Sequence, residues 1–129
     1  MNGIDAVATA IMDREGFRPG TRSFRNNNPG NLRGPAVGIP EDDKGFLILA
    51  DFITGYERLW DDLFDKFTGH NDHGLGPAST VLDLFNVYAP SADGNDTNAY
   101  ASFVAAWCAD ALAKPITIAS PLSDIFVPS

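Results

Sequence analysis

The first segment of the chain places apolar and polar residues with the period of an α-helix. Its apolar positions recur three and four residues apart, as they do along the buried stripe of an amphipathic helix. They are Ile4, Val7, Ala8, Ile11 and Met12. Gly16 stands where a glycine often ends a helix, and Phe17 is the apolar residue that often packs beyond such an end. We therefore predict a helix over residues 4–16.

A second amphipathic pattern begins near the middle of the chain. Thr54 and Glu57 have the T-x-x-E spacing of a capping box, so Thr54 is the expected N-cap. The apolar stripe that follows predicts a helix that ends near Gly69. Its members are Tyr56, Leu59, Trp60, Leu63, Phe64 and Phe67.

Two further helices are predicted in the last third of the chain. Pro90 ends the shorter one, and the longer one ends before Pro115. The expected N-caps are Ser79 or Thr80 for the shorter helix and Asp96 or Thr97 for the longer. The predicted stripe of the longer helix is Tyr100, Phe103, Val104, Trp107, Cys108, Ala111 and Leu112. We expect residues 121–126 to fold back over the core.

The region between the first two helices is rich in Gly, Pro and Asn and has no helical period. Within it, the short apolar run at residues 45–51 predicts a strand, which we expect to pair with a weaker strand at residues 32–37. The predicted fold is therefore α+β and mostly helical, with a small β-hairpin after the first helix. We expect residues 1–129 to form one domain.

The charge balance narrows the partners that the protein can have. With 9 Lys and Arg against 17 Asp and Glu, the formal net charge is −8, which argues against nucleic acid as a partner. No segment reaches the ~18 apolar residues of a membrane span. The N-terminus also lacks the basic region and the continuous apolar run of a secretory signal. We expect no membrane insertion and no signal peptide.

Glu15 is the charged residue that interrupts the first apolar stripe. It follows Ile11 by four positions and Met12 by three, so it falls on the face that should be buried. A carboxyl group that loses its hydration tends to keep its proton, which suits a proton donor. An ion pair at the edge of the core is the alternative interpretation, and the available partners are Arg14, Arg18 and Arg33.

The stretch RNNNPGNLR, residues 25–33, contains more asparagine than a surface turn requires. An amide side chain both donates and accepts hydrogen bonds without adding charge, which suits the hydroxyl and N-acetyl groups of a sugar polymer. We expect Asn28 and Asn31 to face a groove, while the other asparagines bind their own backbone. Gly30 is expected to supply a positive φ to the turn.

Four features occur together along residues 4–107. They are a helix ending in EGF, the RNNNPGNLR stretch, the run GFLIL leading into an aromatic helix, and the block YAPSADGNDTNAY. In this combination the chain resembles the small phage-type muralytic enzymes of the lysozyme-like superfamily, which are similar in layout to lytic transglycosylases and goose-type lysozymes. The resemblance implies a lysozyme-like domain that needs no cofactor. Its substrate would be peptidoglycan, cut between N-acetylmuramic acid and N-acetylglucosamine.

The resemblance also implies roles for individual residues. The family places its essential glutamate at the end of the first long helix, which corresponds to Glu15 as general acid. Lytic transglycosylases line the groove with a serine and a G-L-M-Q turn at similar distances along the chain. Here those places hold Ser23 and the segment from Asn28 to Asn31, although the G-L-M-Q letters are absent. Ser23, Asn28 and Asn31 are therefore candidates for substrate binding.

Three more side chains are candidates near the site. We expect Arg33 to pair with Glu15 or with the lactyl carboxylate of a muramic sugar. Tyr88 and Tyr100 bracket the YAPSADGNDTNAY block, and each also fits a helix stripe. Of the two, Tyr88 is the preferred candidate to contact an N-acetyl group or to orient Glu15.

A second carboxylate is not evident from the sequence. Glycoside cleavage commonly uses two carboxyl groups, about 5 to 9.5 Å apart. The candidates that flank the predicted strand are Asp42, Asp43 and Asp51. In lytic transglycosylases one glutamate acts first as acid and then as base while the C6 hydroxyl of the substrate closes an anhydro ring. The resemblance favours that mechanism, and whether water or the C6 hydroxyl attacks stays open.

The resemblance also implies a setting for the protein. It suggests an endolysin, or a lysozyme carried in a virion or injected, that is made in the bacterial cytoplasm and reaches the wall by release. We expect a monomer, either free or as part of a virion. The alternative is a non-catalytic component of a virion or secretion apparatus that keeps the lysozyme-like shape for binding or assembly.

Two other chemistries are weakly indicated. His70, Asp72 and His73 have a short H-x-x-H spacing, but no Cys or Glu near them completes a zinc site, so no metal is expected. Cys108 with a histidine would suit a peptidase acting on wall peptides. That cysteine falls on or beside a buried stripe, however, where a thiol is usually inert.

Overall fold

In the computed structural model, which describes residues 1–128, the chain forms five α-helices and two short 3₁₀ helices. The α-helices are α1 (Gly3–Arg14), α2 (Arg22–Arg25), α3 (Phe52–Thr68), α4 (Val81–Tyr88) and α5 (Thr97–Leu112). The 3₁₀ helices are Ser91–Asp93 and Leu122–Asp124. Helix α1 packs against both α3 and α5, and α4 packs against α5. These helices share one hydrophobic core.

Helix α1 is the central element of this core. Of its predicted stripe, Ile4, Val7, Ala8 and Ile11 are buried and Met12 is partly buried, and Ala6 and Ala10 on the other side are also fully buried. Alanine has no side chain beyond Cβ, so neighbouring helices can approach closely on that side. Gly3 shows the same effect at the N-terminus, where an added Cβ would lie 1.9 Å from the carbonyl oxygen of Ile125. The helix is therefore held from several directions.

Helix α1 ends just before Gly16, the glycine that the sequence predicted at its end. Gly16 has a φ of 65°, and its N–H donates to the carbonyl of Asp13 at 3.1 Å. The N–H of Phe17 donates to the carbonyl of Met12 at 3.1 Å. These two bonds form a Schellman motif, which satisfies carbonyls at the helix end. Glu15 is the C-cap residue of the helix, so its backbone is well defined.

The remaining helices match the predicted pattern, with one shifted start. The N-cap of α3 is Asp51 rather than Thr54, because the Asp51 carboxylate accepts the backbone N–H of Thr54. Gly69 ends α3 in the left-handed conformation, as predicted. Thr80 caps α4 in a capping box with Asp83. Helix α5 has the N-cap Asp96, one of its two predicted caps.

The buried face of α5 differs from the predicted stripe. Ala101 and Ala105 are buried, whereas Ala111 is exposed. The small alanines are buried because α5 packs against both α1 and α4, which widens its covered face. The final segment returns to the core as expected, with Leu122 and Ile125 buried. Among residues 1–128, no helix combines the length and apolar content needed to cross a bilayer.

The predicted β-hairpin is not confirmed. Residues 32–37 and 45–51 are joined by one isolated antiparallel bridge, between Arg33 and Phe46. Backbone bonds run from the Leu47 N–H to the Leu32 carbonyl and from the Gly34 N–H to the Gly45 carbonyl. The next N–H groups of the apolar run, those of Ile48 and Leu49, donate instead to Pro40 and Asn26, so no continuous strand forms. Helix α2, in the same region, was not predicted, because a four-residue helix has almost no periodicity to detect.

Candidate functional site

The Glu15 side chain is held at both carboxylate oxygens. The hydroxyl of Tyr100 donates to Oε2 at 2.6 Å, and Nδ2 of Asn31 donates to Oε1 at 3.4 Å. Glu15 is partly buried, and no salt bridge to it is present among residues 1–128. The ion pair considered from the sequence is therefore absent from the described residues. The carboxylate is oriented by two neutral donors.

Tyr100 is the stronger of these two partners. It lies on the first turns of α5 and is buried, with its ring stacked on Phe85 at 5.0 Å between centroids. Burial raises the pKa of Tyr100 far above its ordinary value, and the neighbouring Glu15 carboxylate acts in the same direction. The hydroxyl therefore keeps its proton and acts as a donor. The sequence favoured Tyr88 for this contact, and the structure places Tyr100 there instead.

Asn31 reaches Glu15 from the asparagine-rich loop. Its φ is 50°, a left-handed conformation that asparagine tolerates better than most residues. Gly30 does not have the predicted positive φ. Its lack of a Cβ serves close packing instead, because an added Cβ would lie 2.6 Å from the Tyr88 hydroxyl and 2.7 Å from Cδ1 of Leu59.

Tyr88 holds this loop in place. Its hydroxyl donates to the carbonyl of Gly30 at 2.5 Å, which joins the end of α4 to the loop. Burial raises the pKa of Tyr88 well above its usual value, and the charges of Glu15 and Asp62 add to the effect. Tyr88 therefore stays protonated and positions the segment that carries Asn31.

Glu15 opens onto a cleft of about 350 Å³. Its walls include Asn31, Arg33, Phe46, Asp62, Lys66, Tyr88 and Asp93. A second depression of about 260 Å³ shares the wall residues Leu32, Arg33 and Asp62 with the cleft. Because the two depressions share wall residues, they adjoin, and we call the two together the groove. We call the first depression the Glu15 cleft.

Two predicted binding residues lie elsewhere. Asn28 is fully buried, and its Oδ1 accepts the N–H of Leu32 while its Nδ2 donates to two carbonyls. Its hydrogen-bonding groups are thus used by the backbone. Ser23 is buried with its hydroxyl 3.3 Å from that of Thr21. Neither residue lines the Glu15 cleft.

The three candidate second carboxylates also lie outside the cleft. Asp42 organises the loop by accepting the amide of Asn26 and backbone N–H groups, and Arg22 lies 3.1 Å from it. Burial alone would raise the pKa of Asp42, but these hydrogen bonds and Arg22 outweigh it and lower the pKa to about 2. Asp51 caps α3, and the backbone N–H of Thr54 lowers its pKa. Asp43 is exposed.

Arg33 does line the Glu15 cleft, but it contacts neither oxygen of Glu15. Its guanidinium lies over the Phe46 ring, 4.3 Å from the centroid, and its Nε is 3.9 Å from Oδ2 of Asp93. Its Nη1 donates to the carbonyl of Lys44 at 3.3 Å. The Arg33 side chain is therefore half exposed on the wall, with its charge toward the groove.

The sequence reasoning missed three charged residues of the cleft, Asp62, Lys66 and Asp93. Lys66 is buried on α3, and its Nζ is 2.6 Å from Oδ2 of Asp62. The signal was available, because position 66 follows Leu59 by seven residues and Leu63 by three, on the apolar stripe of α3. It is the same kind of interruption that singled out Glu15.

The described residues give little support to a metal site or to a cysteine peptidase. Within residues 1–128, no group of three or more His, Cys, Asp and Glu side chains is arranged to hold a metal ion. His73 lines the Glu15 cleft, and Nδ1 of His70 lies 2.9 Å from the hydroxyl of Thr68. Cys108 is fully buried, and burial raises the pKa of its thiol to about 12, so the reactive thiolate is suppressed.

Comparison of the chain with family models, with curated proteins and with solved structures finds no match.

Proposed function

We propose that the protein cleaves the glycan strand of peptidoglycan between N-acetylmuramic acid and N-acetylglucosamine, with Glu15 as the general acid. The observation that carries the proposal is the placement of Glu15, a partly buried carboxyl group on a cleft, with a donor on each oxygen. The resemblance of the EGF, RNNNPGNLR and YAPSADGNDTNAY segments to phage-type muralytic enzymes supplies the substrate class. We likewise propose that the helical core has a lysozyme-like fold.

The shape of the groove supports a polymer as substrate. The Glu15 cleft and its neighbouring depression together extend past Arg33 and Asp62. An extended groove with amide, hydroxyl and charged groups on its walls suits several linked sugars better than one small molecule.

The proposed reaction begins when Glu15 gives its proton to the glycosidic oxygen as the bond from that oxygen to C1 breaks. The carboxylate that forms then accepts the Tyr100 hydroxyl and the Asn31 amide. These donors stabilise the charge that develops on Glu15 as the proton leaves. The same carboxylate can next take a proton from an attacking water or from the C6 hydroxyl of the substrate, which restores Glu15.

Replacing Glu15 by Gln tests the proposal directly. The amide has nearly the same shape and can still accept from Tyr100, so the fold should be kept, but it cannot donate a proton as an acid does. We expect E15Q to lose about 10³-fold or more of the activity on purified sacculi. Unchanged circular dichroism is the control for folding. Activity within tenfold of the parent protein would refute the assignment.

Mass spectrometry of the released fragments identifies the reaction type. Anhydromuramic ends indicate attack by the C6 hydroxyl, whereas reducing ends indicate attack by water. Freed peptides with intact glycan would instead indicate a peptidase. Sacculi that are bound but never cut would support the alternative of a non-catalytic wall-binding component, and binding without cleavage would then also be expected for E15Q.

A further inference from the structure

Lys66 is an unusual residue for its position in the fold. Among residues 1–128 it is the only charged residue that is buried, with 8% of its surface exposed. It lies on the face of α3 that also buries Leu59, Leu63 and Phe67. Taking an ammonium group out of water costs free energy even when it is paired. Because apolar replacements of buried ion pairs are often neutral or stabilising, packing alone gives weak reason for a lysine here.

The ammonium group of Lys66 has donors to spare. An ammonium carries three N–H donors, and the structure shows one partner among the described residues, Oδ2 of Asp62 at 2.6 Å. Lys66 lines the Glu15 cleft, and its Nζ lies 6.0 Å from the centroid of the Tyr88 ring. The remaining donors are therefore available to a ligand in the cleft.

The charges on the walls of the Glu15 cleft limit where an anionic ligand can bind. The walls of the Glu15 cleft carry two cations, Lys66 and Arg33, together with three carboxylates, those of Glu15, Asp62 and Asp93. Each cation has one carboxylate near it, Asp62 beside Lys66 and Asp93 at 3.9 Å from Arg33. A ligand that carries negative charge must therefore contact one of these cations directly, and the Lys66 side chain is the less hydrated of the two.

We propose that Lys66 is a specificity-determining residue that binds a carboxylate of the substrate, so that the cleft prefers muramic-acid glycans over neutral N-acetylglucosamine polymers. This rests on the proposed function and names the substrate feature that its cleft recognises. In a strand without peptides the carboxylate is that of the lactyl group. In a peptide-bearing strand the lactyl carboxyl is in amide linkage, and the carboxylate is one of the stem peptide.

The test measures binding to uncut oligosaccharides in the E15Q background. The probes are neutral chitotetraose, the matching tetrasaccharide with free lactyl groups, and the same tetrasaccharide carrying stem peptides. Adding K66M should weaken binding of at least one anionic tetrasaccharide about tenfold, with less than a twofold change for chitotetraose. Which anionic probe responds identifies the carboxylate. K44M is the matched control, because Lys44 is exposed and lines neither depression.

Two further variants keep the test decisive if K66M folds poorly. K66R retains the positive charge and should keep most of the parent's preference for the anionic probe. D62N removes the neutralising partner and should strengthen binding of the anionic probe several-fold. Equal losses for neutral and anionic probes with K66M would overturn the proposal. A D62N variant that leaves the preference unchanged would also overturn it, and so would a K66R variant that loses the preference as K66M does.

The outcomes separate this inference from the proposed function. If E15Q cleaves sacculi as the parent does while K66M still removes the preference, the catalytic assignment fails and the binding assignment stands. If E15Q is inactive and all variants bind the three probes alike, the binding assignment fails alone. If the protein binds none of the oligosaccharides, the binding assignment fails, and the catalytic assignment fails with it if sacculi are not cut either.

Discussion

At the scale of single residues, the structure assigns Tyr100 and Tyr88 different tasks. Tyr100 donates to the carboxylate of Glu15, whereas Tyr88 donates to the carbonyl of Gly30 and supports the loop. Both hydroxyls are held protonated by burial, so both act as fixed donors. Tyr100 is thus a positioning residue in the proposed reaction, because it acts on substrate only through Glu15.

We predict that Y100F lowers kcat about tenfold or more and leaves KM within twofold. The phenyl ring can keep its stacking on Phe85, but the developing charge on Glu15 loses a hydrogen bond. Initial rates on solubilised glycan strands measure both constants. The matched control is Y56F, which removes the hydroxyl bound to Asp5, away from the Glu15 cleft. A rise in KM without a fall in kcat would contradict the positioning role.

At the scale of elements, sequence reasoning succeeded where the signal was local. The stripe of α1, Gly16 at its end and the capping residue Thr80 are read from neighbours along the chain, and the structure confirms them. Glu15 was found in the same way, by its position on an apolar stripe. Lys66 carried an equivalent signal on α3 that was overlooked.

The parts that were missed depend on contacts between distant residues. Tyr100 meets Glu15 across 85 positions of the chain, and no local pattern distinguishes it from Tyr88. The predicted hairpin failed for a related reason. Its apolar run resembles a strand, but Ile48 and Leu49 donate to the carbonyls of Pro40 and Asn26, which only the folded loop brings near the run.

The loop between α2 and α3 depends on Asp42, and this predicts a pH dependence of stability. Its pKa is lowered to about 2 in the folded protein from a reference value of 3.8, so its ionised form stabilises the fold. The contribution is fully present above pH 4 and is lost as the pH falls toward 2. We therefore expect D42N to be less stable than the parent at pH 7.

Urea unfolding at several pH values checks this expectation. The difference in free energy of unfolding between the parent and D42N should shrink steadily between about pH 4 and pH 2. D43N is the matched control, because Asp43 is exposed. If the difference in free energy of unfolding between the parent and D42N stays constant over this range, the ionised form of Asp42 does not stabilise the fold.

At the scale of the whole molecule, the protein and its proposed substrate both carry negative charge. A net charge of −8 would repel an anionic wall at long range, whereas in the proposed binding mode Lys66 attracts a carboxylate only within the cleft. Salt screens the long-range repulsion between exposed charges more than it screens the partly buried contact. Encounter with the wall and binding in the cleft should therefore respond differently to salt.

We predict that the initial rate of cleavage of sacculi at low substrate rises a few-fold between about 10 and 150 mM salt, because screening with a Debye length near 8 Å reduces the repulsion. Neutral chitotetraose should bind E15Q with little salt dependence over the same range, which makes it the control for effects on the protein itself. A rate that instead falls steeply with salt would show that the cations of the cleft, rather than the net charge, govern the encounter. That result would require Lys66 and Arg33 to act at long range, and K66M should then weaken the salt dependence as well as the preference for anionic glycan.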